Sequence, residues 1–146
     1  FGQELPLYLE PVESLRQEKA KTYSLSLLTP HPKYRVHSTL ANLPELLEFD
    51  PEPLLEMNPI DAEVRGISNG NTVCVCNDRG QVKVKVKLTS DIKPGVVSLA
   101  QGWWPEQYME GHHNELTHEK INPVQQSLLG PNAAYYDVLV EVRRAM

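Results

Sequence analysis

The sharpest pattern in this chain is a period of two. In "QVKVKVKL", Val82, Val84, Val86 and Leu88 alternate with Lys83, Lys85 and Lys87. That predicts a strand with an apolar inner face and an outer row of lysines. "NTVCVC" precedes it across the turn "NDRG", so the two runs predict a β-hairpin. Tyr23, Leu25 and Leu27 alternate with Ser24 and Ser26 in a first strand. Short strands are expected at Leu54 to Met57 and, after the turn Lys93-Pro94-Gly95, from Val96 to Ala100. The chain closes on "YYDVLVEVRR", with Tyr136, Val138, Val140 and Val142 on one face and Asp137, Leu139, Glu141 and Arg143 on the other.

Helical signals are few. In "NPIDAEVRGI", Asn58 suits an N-cap, Pro59 the first helical position, and Asp61 and Glu63 the positive end of the helix dipole. Gly66 suits the left-handed residue that stops it, and Ile67 packs back. "NLPELLEF" predicts one further helical turn. The opening, with Pro6, Pro11 and a charged run, reads as an extended arm leading into a short helix or a disordered linker. Two segments stay polar and irregular: "LLTPHPKYRVHSTLANLP" from residue 27, and the stretch from Gly102 to Gly130. Loops of that length in a small domain are functional or disordered. About six strands, one or two short helices and two long polar loops predict a mainly-β mixed or Greek-key-like closed barrel.

Composition narrows the classes. The chain has 146 residues, enough for one domain with one core, and its 40% apolar and 23% charged residues are those of a globular protein. A formal charge of −5 argues against non-specific nucleic-acid binding. No apolar run reaches the length of a membrane-spanning helix, and no signal-peptide pattern opens the chain. It begins with Phe1 rather than Met, which predicts a piece of a longer protein and leaves its compartment open. Cys74 and Cys76 share one strand face and lack two further ligands at metal spacing, so both are expected as small buried apolar residues. The lysine row is expected as a solvated strand face, not a phosphate stripe.

Catalytic motifs are missing from the sequence. "GHHNELTHEK" places His112, His113 and His118 without the H-E-x-x-H spacing of a helical zinc site, so loop histidines are expected. No G-x-S-x-G elbow and neither glycine-rich nucleotide loop occurs. What remains is the pairing of hydroxyl and amide groups with rings in the two loops. Thr29, His31, Tyr34, His37 and Ser38 lie in the first; Trp103, Trp104, Asn114 and Thr117 lie in the second. By residue type, such loops suit a flat, phosphate-bearing ligand or an adaptable protein interface equally.

The order of the pieces separates these readings. "YSLSLLTPHPKYRVHSTLANLP", then "MNPIDAEVRGISNGNTVCVCNDRGQVKVKVKLTSDIKPGVVSLAQGWW", then "NELT" together resemble the C-terminal dinucleotide-binding domain of the molybdopterin oxidoreductases, the dimethyl-sulfoxide-reductase-like enzymes. The resemblance spans about residues 22 to 143. It implies a six-stranded double-psi β-barrel over 22–146, with 1–21 as the arm from a larger enzyme. It also implies a molybdopterin guanine dinucleotide cofactor whose molybdenum or tungsten is ligated outside this domain. Carried over as cofactor contacts are Thr29, His31, His37, Ser38, Asn114 and Thr117. Trp103 and Trp104 are expected to pack beside the site, and Asn58 to cap its helix rather than touch ligand. No catalytic residue and no metal ligand are expected here. The remaining domains of the parent oxidoreductase, and an iron-sulfur electron-transfer subunit, are the expected partners. Pro30-His31-Pro32 stands where relatives often carry arginine or glycine after the threonine, which alters the expected phosphate contacts. A free-standing β-barrel serving as a protein-interaction or chaperone-like module is the alternative.

Overall fold

The valines of the central hairpin meet across a fixed register: Val73 pairs with Val84 and Val75 with Val82, and all four are buried. They belong to a computed structural model that describes residues 8–127, 130–134 and 136–145. The strands are β1 (Leu25–Leu28), β2 (Leu54–Met57), β3 (Thr72–Cys76), β4 (Gln81–Leu88), β5 (Val96–Leu99), β6 (Ile121–Ser127), β7 (Gly130–Ala133) and β8 (Leu139–Arg144). Six of them close a barrel in the order β1-β5-β2-β4-β3-β8, and β6 and β7 form a separate hairpin.

Two pairings in the barrel are parallel, β1 with β5 and β2 with β4; the others are antiparallel. Exchanging β1 with β4, β2 with β5 and β3 with β8 maps this pattern onto itself. That internal two-fold is the arrangement of a double-psi β-barrel, as the resemblance implies. Closure also removes the exposed edges that open sheets must protect. The interior is filled from all six strands by Leu25, Leu27, Leu55, Met57, Val73, Val75, Val82, Val84, Val86, Val97, Leu99, Val140 and Val142.

Strand directions decide what each mouth of the barrel carries. Because β1 and β5 are parallel, both long loops leave from the same mouth, after Leu28 and after Leu99. β2, β4 and β8 start at that mouth, and β3 ends there in the "NDRG" turn. The opposite mouth is closed by the helix Pro59–Glu63. Asn58 caps it as expected, its side chain accepting from the Ile60 N–H at 2.9 Å while donating to the Ile92 carbonyl at 2.7 Å. Arg65 then ties the helix to β8 and β1 through Glu141 at 2.7 Å and the Ser24 hydroxyl at 2.6 Å.

The lysine row is engaged with carboxylates: Lys83 with Glu110, Lys85 with Glu52 and Lys87 with Glu56. Four expectations need correction. Cys74 and Cys76 are half-exposed rather than buried, because Val73 and Val75 take the inner face and period two turns the thiols outward. Leu88 is likewise only partly buried, packing against the rim of the core at the end of β4. Leu139, expected on the outer face, is nevertheless buried. The arm reaches the same point of β8, where Glu13 accepts the Leu139 N–H at 2.8 Å. The stretch from Gly102 to Gly130 is irregular only as far as Lys120, after which it forms β6.

The arm itself is irregular from residue 8 and ends in a 3-10 turn at Glu18–Lys21; residues 1–7 lie outside the described residues. Its anchor is Glu13, whose buried carboxylate receives Arg79 at 2.6 Å and Lys19 at 2.5 Å. Among the described residues no helix is long and apolar enough to cross a membrane.

Candidate functional site at the open mouth

The two long loops are laced together. The Gln101 N–H donates to the Pro30 carbonyl at 3.0 Å, the Trp104 indole N–H to the Ser38 carbonyl at 3.0 Å, and the Gln107 amide to the Ala41 carbonyl at 2.8 Å. Gly102, at φ +88°, lies directly against the His37 backbone. His37 and Leu40 themselves hold left-handed backbone, at φ 53° and 69°. Such conformations cost non-glycine residues about 1 kcal/mol or more each, so the loop is held there by its surroundings.

Between the laced loops lie two adjoining cavities. The larger, about 540 Å³, is bordered by His37, Ser38, Gln101, Trp103, Trp104, His112, His113 and Asn114. The smaller, about 260 Å³, adds Thr29, His31 and Thr117 and shares His37, Gln101, His113 and Asn114. Each of the six residues carried over from the resemblance therefore borders one of these adjoining cavities, and His37 and Asn114 border both. Ser38 and Asn114, from different loops, face the same space.

Each wall has a physical cause. Trp103 is packed from behind by Arg35, whose guanidinium carbon sits 3.5 Å from the ring centroid. Arg35 is buried, pairs with Asp50 at 2.9 Å, and keeps Nε and Nη1 without a protein partner among the described residues. His112 bonds the Trp103 carbonyl through Nε2 at 3.0 Å, so Nε2 carries the proton and Nδ1 accepts the Asn114 N–H at 3.3 Å. That sets the Asn114 backbone. The Thr117 hydroxyl donates to the Asn114 carbonyl at 3.1 Å and closes the same turn. The "NDRG" turn holds it from below: the Asn77 amide and the Arg79 Nε both donate to the Leu116 carbonyl, at 2.8 and 2.9 Å.

The site is lined by neutral donors and acceptors. Burial, with the neighbouring His112, pushes the His113 imidazole down to about 4, so it is neutral at physiological pH. Burial raises the Tyr108 hydroxyl beside it well above its ordinary range. The side chains of Thr29, Ser38, Gln101 and Asn114 border the cavities with no hydrogen-bond partner among the described residues. Uncommitted donors and acceptors around a concavity fit a polar, flat ligand carrying oxygen acceptors. The rings of His31 and His37, 4.5 Å apart edge to face, add a flat wall. No group of three His, Cys, Asp or Glu side chains among the described residues is arranged to hold a metal ion.

Wall residues that sequence reasoning did not carry over include Gln101, Gly102, His112 and His113. Gln101 and Gly102 follow β5, and their signal was the Q-G-W-W stretch that carries part of the family resemblance, though neither was carried over as a contact. His113 was read as a loop histidine, and only its burial, at 7% exposure, sets it apart.

Comparison with known proteins agrees with this geometry. Residues 25–129 match the family described as "Molydopterin dinucleotide binding domain". A relative in Halobacterium salinarum, assigned to the dimethyl sulfoxide reductase catalytic subunits, is 40% identical over 142 residues, covering 97% of this chain and 16% of that protein. The dimethyl sulfoxide reductase of Haemophilus influenzae is 38% identical over 125 residues, covering 82% of this chain and 15% of that protein. The chain thus spans about a sixth of the curated relatives it matches. Among solved structures, acetylene hydratase from Pelobacter acetylenicus superposes with a TM-score of 0.80 at 22% identity, over 97% of this chain and 21% of that one, which shows a shared fold. With the closed barrel, the paired loops and this match along most of its length, the chain belongs to the molybdopterin dinucleotide binding domain family.

Proposed function

We propose that this chain is the part of a molybdenum or tungsten oxidoreductase that binds and encloses molybdopterin guanine dinucleotide. The observation that carries the reading is that Ser38, Gln101 and Asn114, from different loops, line one cavity while their side chains have no hydrogen-bond partner among the described residues. In this reading residues 1–21 are the arm from the parent enzyme and 22–146 the cofactor domain.

The roles follow from the geometry. Ser38, Asn114 and Gln101 hold oxygen acceptors of the dinucleotide, and Thr29 offers a hydroxyl from the buried end of β1. His31 and His37 border the smaller cavity as flat surfaces, and the half-exposed Trp104 covers the rim of the larger. Thr117 acts mainly through the turn it closes, since its proton is committed to the Asn114 carbonyl. When bound, the cofactor supplies electron or oxygen-atom transfer at its metal, which is ligated by other parts of the parent enzyme. This chain positions the group and excludes water around it; by itself it is catalytically inert.

The guanine form and the oxidoreductase activity follow the dimethyl-sulfoxide-reductase-like relatives, as does electron supply through an iron-sulfur subunit. Around the mouth, Val36 and Phe49 are two-thirds exposed, with Tyr34 stacked on Phe49 at 5.4 Å and Trp104 half-exposed. Since the relatives are some six times longer, the occupant of this apolar rim is the remaining body of the parent enzyme. The test is the bound pterin dinucleotide content of the full-length parent carrying His37→Ala or Asn114→Ala. Reduced content with a folded polypeptide is expected, and unchanged content and activity would remove these residues from the site.

A further inference from the structure

His113 was assigned no part in holding the cofactor, yet it is the one imidazole that borders both cavities while being almost fully buried. Its Nδ1 lies 3.0 Å from the Tyr108 hydroxyl. Tyr108 is buried, and among the described residues the only hydrogen-bond partner of its hydroxyl is His113 Nδ1. With no other acceptor bonded to it among the described residues, the hydroxyl proton has Nδ1 as its partner. Leaving a buried hydroxyl proton unbonded would cost about 1–3 kcal/mol.

A neutral imidazole that accepts at Nδ1 carries its proton at Nε2. That nitrogen has no partner among the described residues, and the ring borders the cavities. We infer that Tyr108 locks His113 in the Nε2–H tautomer, so that His113 donates a hydrogen bond to an oxygen acceptor of the bound pterin dinucleotide. Tyr108 is then a positioning residue, acting only through His113. The neighbouring His112 is locked in the same tautomer by the Trp103 carbonyl, but both of its nitrogens are already committed. The adjacent histidines therefore divide the work, His112 shaping the loop and His113 facing the ligand. This inference rests on the cofactor reading above and adds a donor to it.

The test uses the full-length parent enzyme loaded with its cofactor, and reads the rate at which metal and pterin dinucleotide are lost from the polypeptide during incubation and gel filtration. His113→Leu removes the donor and should speed loss about ten-fold, the worth of one such hydrogen bond. His113→Gln places an amide N–H near the position of Nε2 and should stay within about two-fold of the unchanged enzyme. Tyr108→Phe should speed loss about three-fold when His113 is present, because both tautomers become accessible. In a His113→Phe background the same change should not speed loss, since phenylalanine has no ring nitrogen for the tyrosine to orient. A purely structural tyrosine would give equal effects in both backgrounds, and that result overturns the inference. So does His113→Leu releasing cofactor no faster than the unchanged enzyme. Should that variant fail to accumulate, the two Tyr108→Phe comparisons decide. Asn114→Ala, run in parallel, separates the two levels. Loss with Asn114→Ala but not with the His113 or Tyr108 variants sinks the dyad alone, and no loss with any of them sinks the cofactor reading beneath it.

Discussion

A Cβ added to Gly102 would lie 2.6 Å from the carbonyl carbon of His37 and closer still to its oxygen. The two site loops therefore touch backbone to backbone at a point where no side chain fits. Gly102 also holds φ +88°, which disfavours any L side chain independently of the clash. Gly102→Ala should destabilise the chain by about 3 kcal/mol or more, the sum of backbone strain and overpacking. Urea denaturation of the 146-residue chain measures this, and a loss under 1 kcal/mol would mean that the loops can part without consequence.

Acid should weaken the fold in two windows. Burial pushes the Glu13 carboxyl up, but hydrogen bonds from Arg79, the Leu139 N–H and Lys19 outweigh it and hold it at about 2. An ordinary glutamate in the unfolded chain titrates near 4.3. The Glu13 contribution is thus complete above that value and is lost as pH falls toward 2, amounting to about 1–2 kcal/mol after solvent screening. His113 acts earlier. It stays neutral in the fold down to about 4 while the unfolded chain takes up a proton below about 6.5, so stability already declines between those values. Stability measured from pH 7 to 3 should fall in both intervals. Glu13→Gln should flatten the lower one and His113→Gln the upper.

Asn77 binds the hairpin turn to the second site loop. Its amide donates to the carbonyls of Leu116 and Leu139, at 2.8 and 3.3 Å, and its oxygen accepts the N–H groups of Arg79 and Gly80. Asn77→Ala leaves several of these part-buried groups unbonded and should cost about 2–3 kcal/mol. Hydrogen exchange should quicken most at 113–117, ahead of the barrel strands, whereas uniform quickening would contradict this placement of Asn77.

The apolar rim should matter to assembly and not to folding. Phe49→Glu changes a residue that is 66% exposed, so the isolated chain should keep its stability to within about 0.5 kcal/mol. In the parent enzyme the same substitution should reduce the yield of cofactor-loaded protein, read as bound metal per polypeptide. Full loading would place the rim at solvent instead.

The sequence was legible wherever neighbours along the chain decide structure. The valine alternation of β3 and β4, the cap at Asn58 and the turn at Lys93-Pro94-Gly95 are local, and each stands where its pattern placed it. What misled was long-range cover. Leu139 is fully buried, and its N–H is bonded by Glu13, far away in sequence. Arg35 lies buried against Trp103 though nothing nearby in sequence demands it. The pairing of β1 with β5 and β2 with β4 is likewise invisible to periodicity, and it came with the family resemblance. At the site, the hydroxyls and amides of both loops could be named from residue type, but the burial of His113 and the close pass of Gly102 arise only when the loops meet.

The most direct test compares hydrogen–deuterium exchange of the parent enzyme with and without bound cofactor. Protection on binding should concentrate at 29–38 and 101–117, with little change at the opposite mouth around 58–66 and 89–95. Protection confined to that opposite mouth, with both site loops unaffected, would contradict the placement of the cofactor between them.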